Sequence, residues 1–327
     1  MVKIKDVADE AGVAISTVSK VLRNYSKISK ETREKVMKAV KDLNYVPNTM
    51  ASALSSKISN RVAFYICITD KQTIDEIYMQ NLLGAFKGAE QQGFDIVPIF
   101  SYAVNGLTKN ELVNYFKSQK INDIVFFGLT KDDRKIIDII NDQIFNVVTI
   151  NTPLLNYRTS YISIDQALGQ YEVAKKTIVA NNGKRILYLA GRQNSFVTEK
   201  RIEGIKRLQS ELNFDLTIIN GEFKEKIAYE IALKDAYNYD VIVCASDMMA
   251  IGVTKALKQL DIFRPVCGFD GIKLLAYFSE GTDTCKQDFN LIAKLSMEEI
   301  AHLRQGNEGR FVKVPHQIVT VKYNEII

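Results

Sequence analysis

Apolar side chains recur with a helical period along the first sixty residues. Ile4, Val7, Ala8 and Ala11 fall at i, i+3, i+4 and i+7, one face of a helix. Gly12 follows, where helices commonly end. After a very short connection, Val18, Val21 and Leu22 form a second apolar stripe, and the opposite face carries Ser16, Ser19, Lys20 and Arg23. Two short helices joined this tightly, the second polar and basic on its outer side, make a helix-turn-helix pattern. A third helix is predicted from Ser29, a good N-cap. Glu31 lies in its positive first turn, and Val36, Val40 and Leu43 face inward. Pro47 and Asn48 then open the segment NTMASALSS, in which Met50, Ala51, Ala53 and Leu54 share one side. A helix of about nine residues is too short to be stable alone, since isolated helices need roughly 12–15.

From residue 61 the pattern changes to short apolar runs separated by amphipathic stretches. Strands are predicted at 61–68, 94–100, 123–127 and 146–150, and again at 185–189, 216–219, 241–245 and 265–269. Strands alternating with helices indicate doubly wound parallel sheets, and two consecutive series indicate two similar lobes. Three regions follow: a helix-turn-helix head at 1–46, a hinge helix and linker at 47–60, and an α/β core at 61–327.

Charge sharpens the division. The first sixty residues hold 11 basic and 6 acidic side chains, and the remaining 267 hold 32 of each. A basic head on a neutral body suggests a polyanion partner for the head, although a solvated basic face would give the same count. With 46% hydrophobic and 25% charged residues the chain reads as an ordinary globular protein. No apolar run approaches the roughly 18–20 residues that cross a bilayer, and the opening MVKIKDVADEAGV carries acids where a signal peptide is apolar, so a cytoplasmic protein with no membrane partner is expected.

Candidate chemistry is sparse. Cys67, Cys244, Cys267 and Cys285 stand far apart and read as buried thiols, and His302 and His316 form no pair, so no metal site is expected. Neither G-x-G-x-x-G nor G-x-x-x-x-G-K-[ST] occurs, and no nucleophile with an adjacent base is apparent. The expectation is a non-enzyme without cofactor or catalytic residues. Ligands of parallel α/β sheets sit beyond the carboxyl ends of strands. Asp165 follows YISI, Asp247 follows VIVCAS, Asp270 follows VCGF, and Arg201 opens a helix after LYLAG. Each alone is more often a helix cap or a solvated charge. Together they suit a polyol, whose paired hydroxyls donate to carboxylates and accept from an Arg fork.

The run IKDVADEAGVAISTVSKVL, followed by SKETREKVMKAVKDLNYVPN, resembles the head of the LacI/GalR family of bacterial transcription regulators over about residues 3–58. The resemblance implies double-stranded DNA as partner, with base-reading by Ile15, Ser16 and Lys20. Arg23, where the family often has asparagine, joins that set. Lys20 can donate to guanine, Ser16 to several acceptors, and Ile15 can touch a thymine methyl. Thr17, Ser19, Asn24 and Thr32 match positions that hold phosphates. In the hinge, Asn48, Ala51 and Leu54 would meet the minor groove, with Leu54 as a wedge between base pairs.

ISIDQALG, VTEKRIEG, CASDMMAIG, CGFDG and CKQDF resemble landmarks of the family's effector domain, itself related to periplasmic sugar-binding proteins. The resemblance implies effector contacts from Asp165, Arg201, Asp247 and Asp270, with Phe223 and Phe289 stacking on or capping a sugar ring. A core role fits either Phe equally well. It further implies chain crossings between lobes near residues 160, 288 and 320. With no leucine heptads after the last predicted strand, a homodimer on a pseudo-palindromic operator is expected. Two alternatives stay open: control by a corepressor or protein partner, and a sugar-binding protein with no DNA role.

Overall fold

The computed structural model describes residues 2–22, 28–45, 59–68, 76–279 and 281–325. It divides into two compact units, Met1–Ser59 and Asn60–Ile327.

The first unit holds α1 (Ile4–Ala11), α2 (Ile15–Leu22) and α3 (Lys30–Asp42). Gly12 closes α1 in the left-handed region at φ +64°, which only a residue lacking Cβ adopts freely. The turn completes when the Val13 amide donates to Ala8 O at 3.0 Å. α3 begins at Ser29, whose hydroxyl accepts from the Thr32 amide at 3.2 Å. Val7, Ala8, Val18, Val21, Val36 and Ala39 are buried together, one or more from each helix. Small side chains allow three short helices to close around so little apolar volume.

The second unit contains two six-stranded sheets. The first comprises β1 (Arg61–Ile66), β2 (Asp95–Phe100), β3 (Asp123–Phe127), β4 (Asn146–Ile150), β5 (Thr159–Ser163) and, from the end of the chain, β11 (Phe311–Lys313). Its order is β11-β5-β4-β3-β1-β2, parallel throughout. The second comprises β6 (Arg185–Ala190), β7 (Asp215–Asn220), β8 (Val241–Cys244), β9 (Val266–Asp270), β10 (Thr282–Gln287) and β12 (His316–Val321), in the order β12-β10-β9-β8-β6-β7. Only β12 runs antiparallel in it. The intervening helices are α4 (Glu76–Gln92), α5 (Lys109–Ser118), α6 (Arg134–Asn141), α7 (Gln166–Ala180), α8 (Phe196–Leu212), α9 (Glu225–Asp235), α10 (Asp247–Leu260) and α11 (Phe289–Arg304).

The eight strands expected from apolar runs all form. β5, β10, β11 and β12 were not expected, because TSYIS, TDTCKQ and HQIVTV mix polar with apolar positions. They flank the places where the chain changes lobe: between Ser163 and Gln166, after Gln287, and between Lys313 and His316. Ser160 is fully buried in β5, where its Oγ donates to Glu299 Oε1 at 2.9 Å. α11 returns to the first sheet and packs along α4, where Gly84 and Gly88 lie directly on the Asn290 and Lys294 backbone. Among the described residues no helix is long and apolar enough to cross a membrane. All four cysteines are buried and free, and burial pushes the thiols of Cys67 and Cys244 up and that of Cys267 to about 12.

Candidate functional site

The carboxyl ends of both sheets converge on a cleft between the lobes, with a cavity of about 180 Å³. The first lobe contributes the turns after β3 and β4, including Thr130 and Asn151, and the second lobe contributes Arg201, Phe223, Asp270 and Gln287. The lobes also touch beside the cleft. The Lys131 amide donates to Asn194 O at 2.8 Å, Asn194 Nδ2 donates to Asp132 Oδ2 at 2.6 Å, and Lys131 pairs with Glu199. Elsewhere Glu76 Oε2 accepts from the Lys273 amide at 2.9 Å.

Arg201, only 4% exposed, is the centre of the polar wall. It rises from the second turn of α8 with its guanidinium stacked 3.7 Å from the Phe269 ring centroid. Nε donates to Gln166 Oε1 at 3.0 Å, Nη1 to the Ala245 carbonyl, and Nη2 reaches Asp270 Oδ1 at 3.4 Å. Asp270 Oδ1 also accepts from Gln287 Nε2 at 2.9 Å. Asp270 adopts φ +117°, a left-handed conformation unusual for a side chain larger than glycine, and it ends β9 facing the cleft. Phe223 follows β7 with φ +58°, as does Glu222 before it. The ring is laid against Gly191, where a Cβ would have no room, and lies 5.9 and 5.8 Å from the guanidinium carbons of Arg192 and Arg201. Phe289, 3% exposed, forms part of both the core and the cleft wall.

Asp165 and Asp247 stand outside the lining. Asp165 caps α7 through the Leu168 amide at 3.0 Å and pairs with Lys313 Nζ at 2.9 Å. Burial opposes its charge, but these donors outweigh it and hold the carboxyl below its ordinary range. Asp247 is fully buried at the start of α10. Its Oδ2 accepts from the Gly271 and Ile272 amides at 2.7 and 2.8 Å, and its Oδ1 from Thr284 Oγ1 at 2.7 Å. It therefore fixes the turn that presents Asp270, while its neighbours Ser246 and Met248 reach the cleft.

Burial, followed by the charge of Asp270, pushes the Asp247 carboxyl well above its ordinary value of 3.8. A folded-state value above the unfolded one means that stability from this group is present below the unfolded value and lost as pH rises through the folded one. Asn can keep every bond, accepting both amides on Oδ1 and donating from Nδ2 to Thr284. Asp247→Asn is therefore expected to be more stable than wild type at neutral pH, the difference vanishing as pH falls; urea midpoints measured across pH check this.

The polar contributors missed from sequence include Asn151, Gln166, Ser246 and Gln287. Asn151 and Gln287 follow strand ends like the residues that were found. Gln287 was hidden because β10 has no apolar run, and Gln166 because a helix-opening Gln carries no chemical signature.

In the head, α2 buries Val18 and Val21 and exposes Ile15, 46% accessible, with Ser16 and Lys20 on the same outer side. Thr17 and Ser19 are half-buried, and Thr32 Oγ1 lies 2.8 Å from Ser29 Oγ. Arg23, Asn24, Asn48, Ala51 and Leu54, with the expected hinge helix, lie outside the described residues.

The chain thus carries a helix-turn-helix unit and, in its second unit, a two-lobed cleft. Residues 3–48 match the family described as bacterial regulatory proteins, lacI family. The HTH-type transcriptional repressor PurR of Vibrio vulnificus is 27% identical over 310 residues, covering 91% of this chain and 90% of its own. The regulator MalR of Clostridium butyricum is 27% identical over 318 residues, covering 90% of each. Among solved structures, the Lac repressor bound to ONPG in its repressed state superposes with a TM-score of 0.79 at 20% identity, over 97% of this chain and 98% of that one. A CelR–cellobiose complex superposes with a TM-score of 0.70 at 21% identity, over 98% of each chain. The head thus matches the lacI family, and the chain is similar over about nine-tenths of its length to HTH-type transcription regulators.

Proposed function

We propose that this protein is a cytoplasmic repressor whose grip on a pseudo-palindromic operator is set by a sugar, or a closely related metabolite, bound between the two core lobes. The observation that carries the reading is the cleft floor built by Arg201, Asp270 and Gln287, in a chain that also bears an exposed polar face on α2. A carboxylate, a guanidinium and a primary amide beside the Phe223 and Phe289 rings supply the paired acceptors, paired donors and flat apolar surfaces that a pyranose requires. Cellobiose and ONPG in the two structural neighbours are ligands of that type. The cavity is proposed to bind without turnover, since Asp270 is engaged by Arg201 and Gln287 and, among the described residues, no nucleophile–base pair faces it.

Each head of a homodimer would place α2 in the major groove of one half-site. Lys20, Ser16, Ile15 and Arg23 would read bases, and Thr17, Ser19, Asn24 and Thr32 would hold phosphates. The segment with Asn48, Ala51 and Leu54 would enter the minor groove between the heads. Effector binding would alter the register of the lobes and so the separation of the two hinge starts. A coupling of about 1–3 kcal/mol, or roughly 5–150-fold in affinity, is typical of linked sites.

Fluorescence anisotropy on an operator fragment, with and without a sugar panel, tests this. Operator affinity should fall steeply with salt and change with one of the sugars; no response to any small molecule would remove the effector reading. Lys20→Ala should cost about 1–3 kcal/mol at the cognate site and relax base preference at one position of each half-site.

A further inference from the structure

The hydrogen bonds beneath the cleft have a fixed direction, and Arg201 sets it. An arginine Nε can only donate, so the Gln166 amide that meets it at 3.0 Å must present Oε1. Gln166 Nε2 is thereby turned the other way, toward Asn151 Oδ1 at 3.2 Å and Gln287 Oε1 at 3.3 Å. Those two amides must show it their oxygens. For Gln287 this directs Nε2 onto Asp270 Oδ1 at 2.9 Å, as observed. For Asn151, Ser163 Oγ lies 2.9 Å from the same Oδ1 and 2.8 Å from the Ile164 carbonyl, and its one proton is shared between them. Asn151 Nδ2 meets no protein acceptor among the described residues, and Asn151 lines the cleft. Its backbone, at φ +58°, is a conformation that asparagine tolerates better than most residues.

We infer that Gln166, which is 5% exposed and does not itself line the cleft, is a specificity-determining positioning residue. It joins Asn151 of the first lobe to Arg201 and Gln287 of the second, and relays the polarity of Arg201 across the lobe boundary. The Asn151 wall therefore offers the effector a hydrogen-bond donor and the Asp270 wall an acceptor. The ligand class this selects carries an acceptor toward the first lobe and a donating hydroxyl toward Asp270. The inference rests on the effector reading above.

The test uses full-length protein, calorimetric titration, and D-glucose, maltose and cellobiose with their monodeoxy and monodeoxyfluoro analogues. Fluorine accepts but cannot donate. In wild type, at one ring position, the fluoro analogue should bind more tightly than the deoxy analogue. Asn151→Asp keeps the acceptor for Gln166 but turns an oxygen toward the cleft, so that fluoro analogue should lose about tenfold against its parent sugar, the equivalent of one hydrogen bond. Gln166→Glu keeps the bond to Arg201 but removes the donor to Asn151, and should shift the same ratio in the same direction. Operator affinity without sugar and thermal melting identify a misfolded variant, and either variant alone carries the test. Analogue ratios equal to wild type in the folded variants overturn the role of Gln166 while leaving the effector reading intact. Failure of wild type to bind any of the three sugars overturns the effector reading, and this inference with it.

Discussion

Arg201→Ala is expected to lower the unfolding free energy of the core by about 3–5 kcal/mol, the usual cost of removing one partner from a buried ion pair. The substitution leaves Gln166 Oε1 and the Ala245 carbonyl without their donor and Asp270 without its counter-charge, all in buried surroundings. It also removes a planar group stacked on Phe269, so packing is lost with the charge. Arg201→Lys should recover only part of the loss, because one ammonium cannot serve three directions held by a planar fork. Urea unfolding followed by circular dichroism reads the stability, and the same preparation in the operator assay should show no response to sugar. An unfolding midpoint within error of wild type for Arg201→Ala would show that solvent replaces the network at no cost.

Gly84→Ala should have the second largest effect. A Cβ at Gly84 would fall well inside contact distance of the Asn290 carbonyl, so backbone must move against backbone. Overpacking of this kind typically costs about 1–3 kcal/mol, and here no side-chain rotation relieves it. The displacement also reaches the site, because Asn290 lies one residue beyond Phe289 and three beyond Gln287, both on the cleft wall. Reduced stability should therefore come with altered sugar affinity. Gly106→Ala provides the control, since a Cβ there meets nothing within 4 Å. Equal midpoints for the two variants would contradict the tight approach of α4 to α11.

Much of this architecture is legible along the chain. The three head helices follow from apolar period and from Gly12 and Ser29, and the eight apolar strands follow from their runs. The strands that close the lobe boundary were not legible. TDTCKQ buries Thr282, Thr284, Cys285 and Gln287 only because β9 and β12 flank it on both sides. For the site, the rule that ligands gather at strand ends pointed to Arg201 and Asp270, and the family resemblance to Phe223 and Phe289; all four line the cleft. It could not separate these from Asp165 and Asp247, which also follow strands. The difference lies in what meets each carboxylate: Asp165 has a helix amide and Lys313, Asp247 has two backbone amides and Thr284, and Asp270 has groups that themselves face the cleft.

The sequence by itself determined that a basic, three-helix head precedes a neutral α/β body, because helical period, capping residues and charge are local properties of the chain. Only the tertiary structure decided which polar residues share the cleft and which way their hydrogen bonds run. Gln166, Arg201, Asp270 and Gln287 are separated by up to 121 residues, and a hydrogen bond acquires its direction only when donor and acceptor are brought within reach.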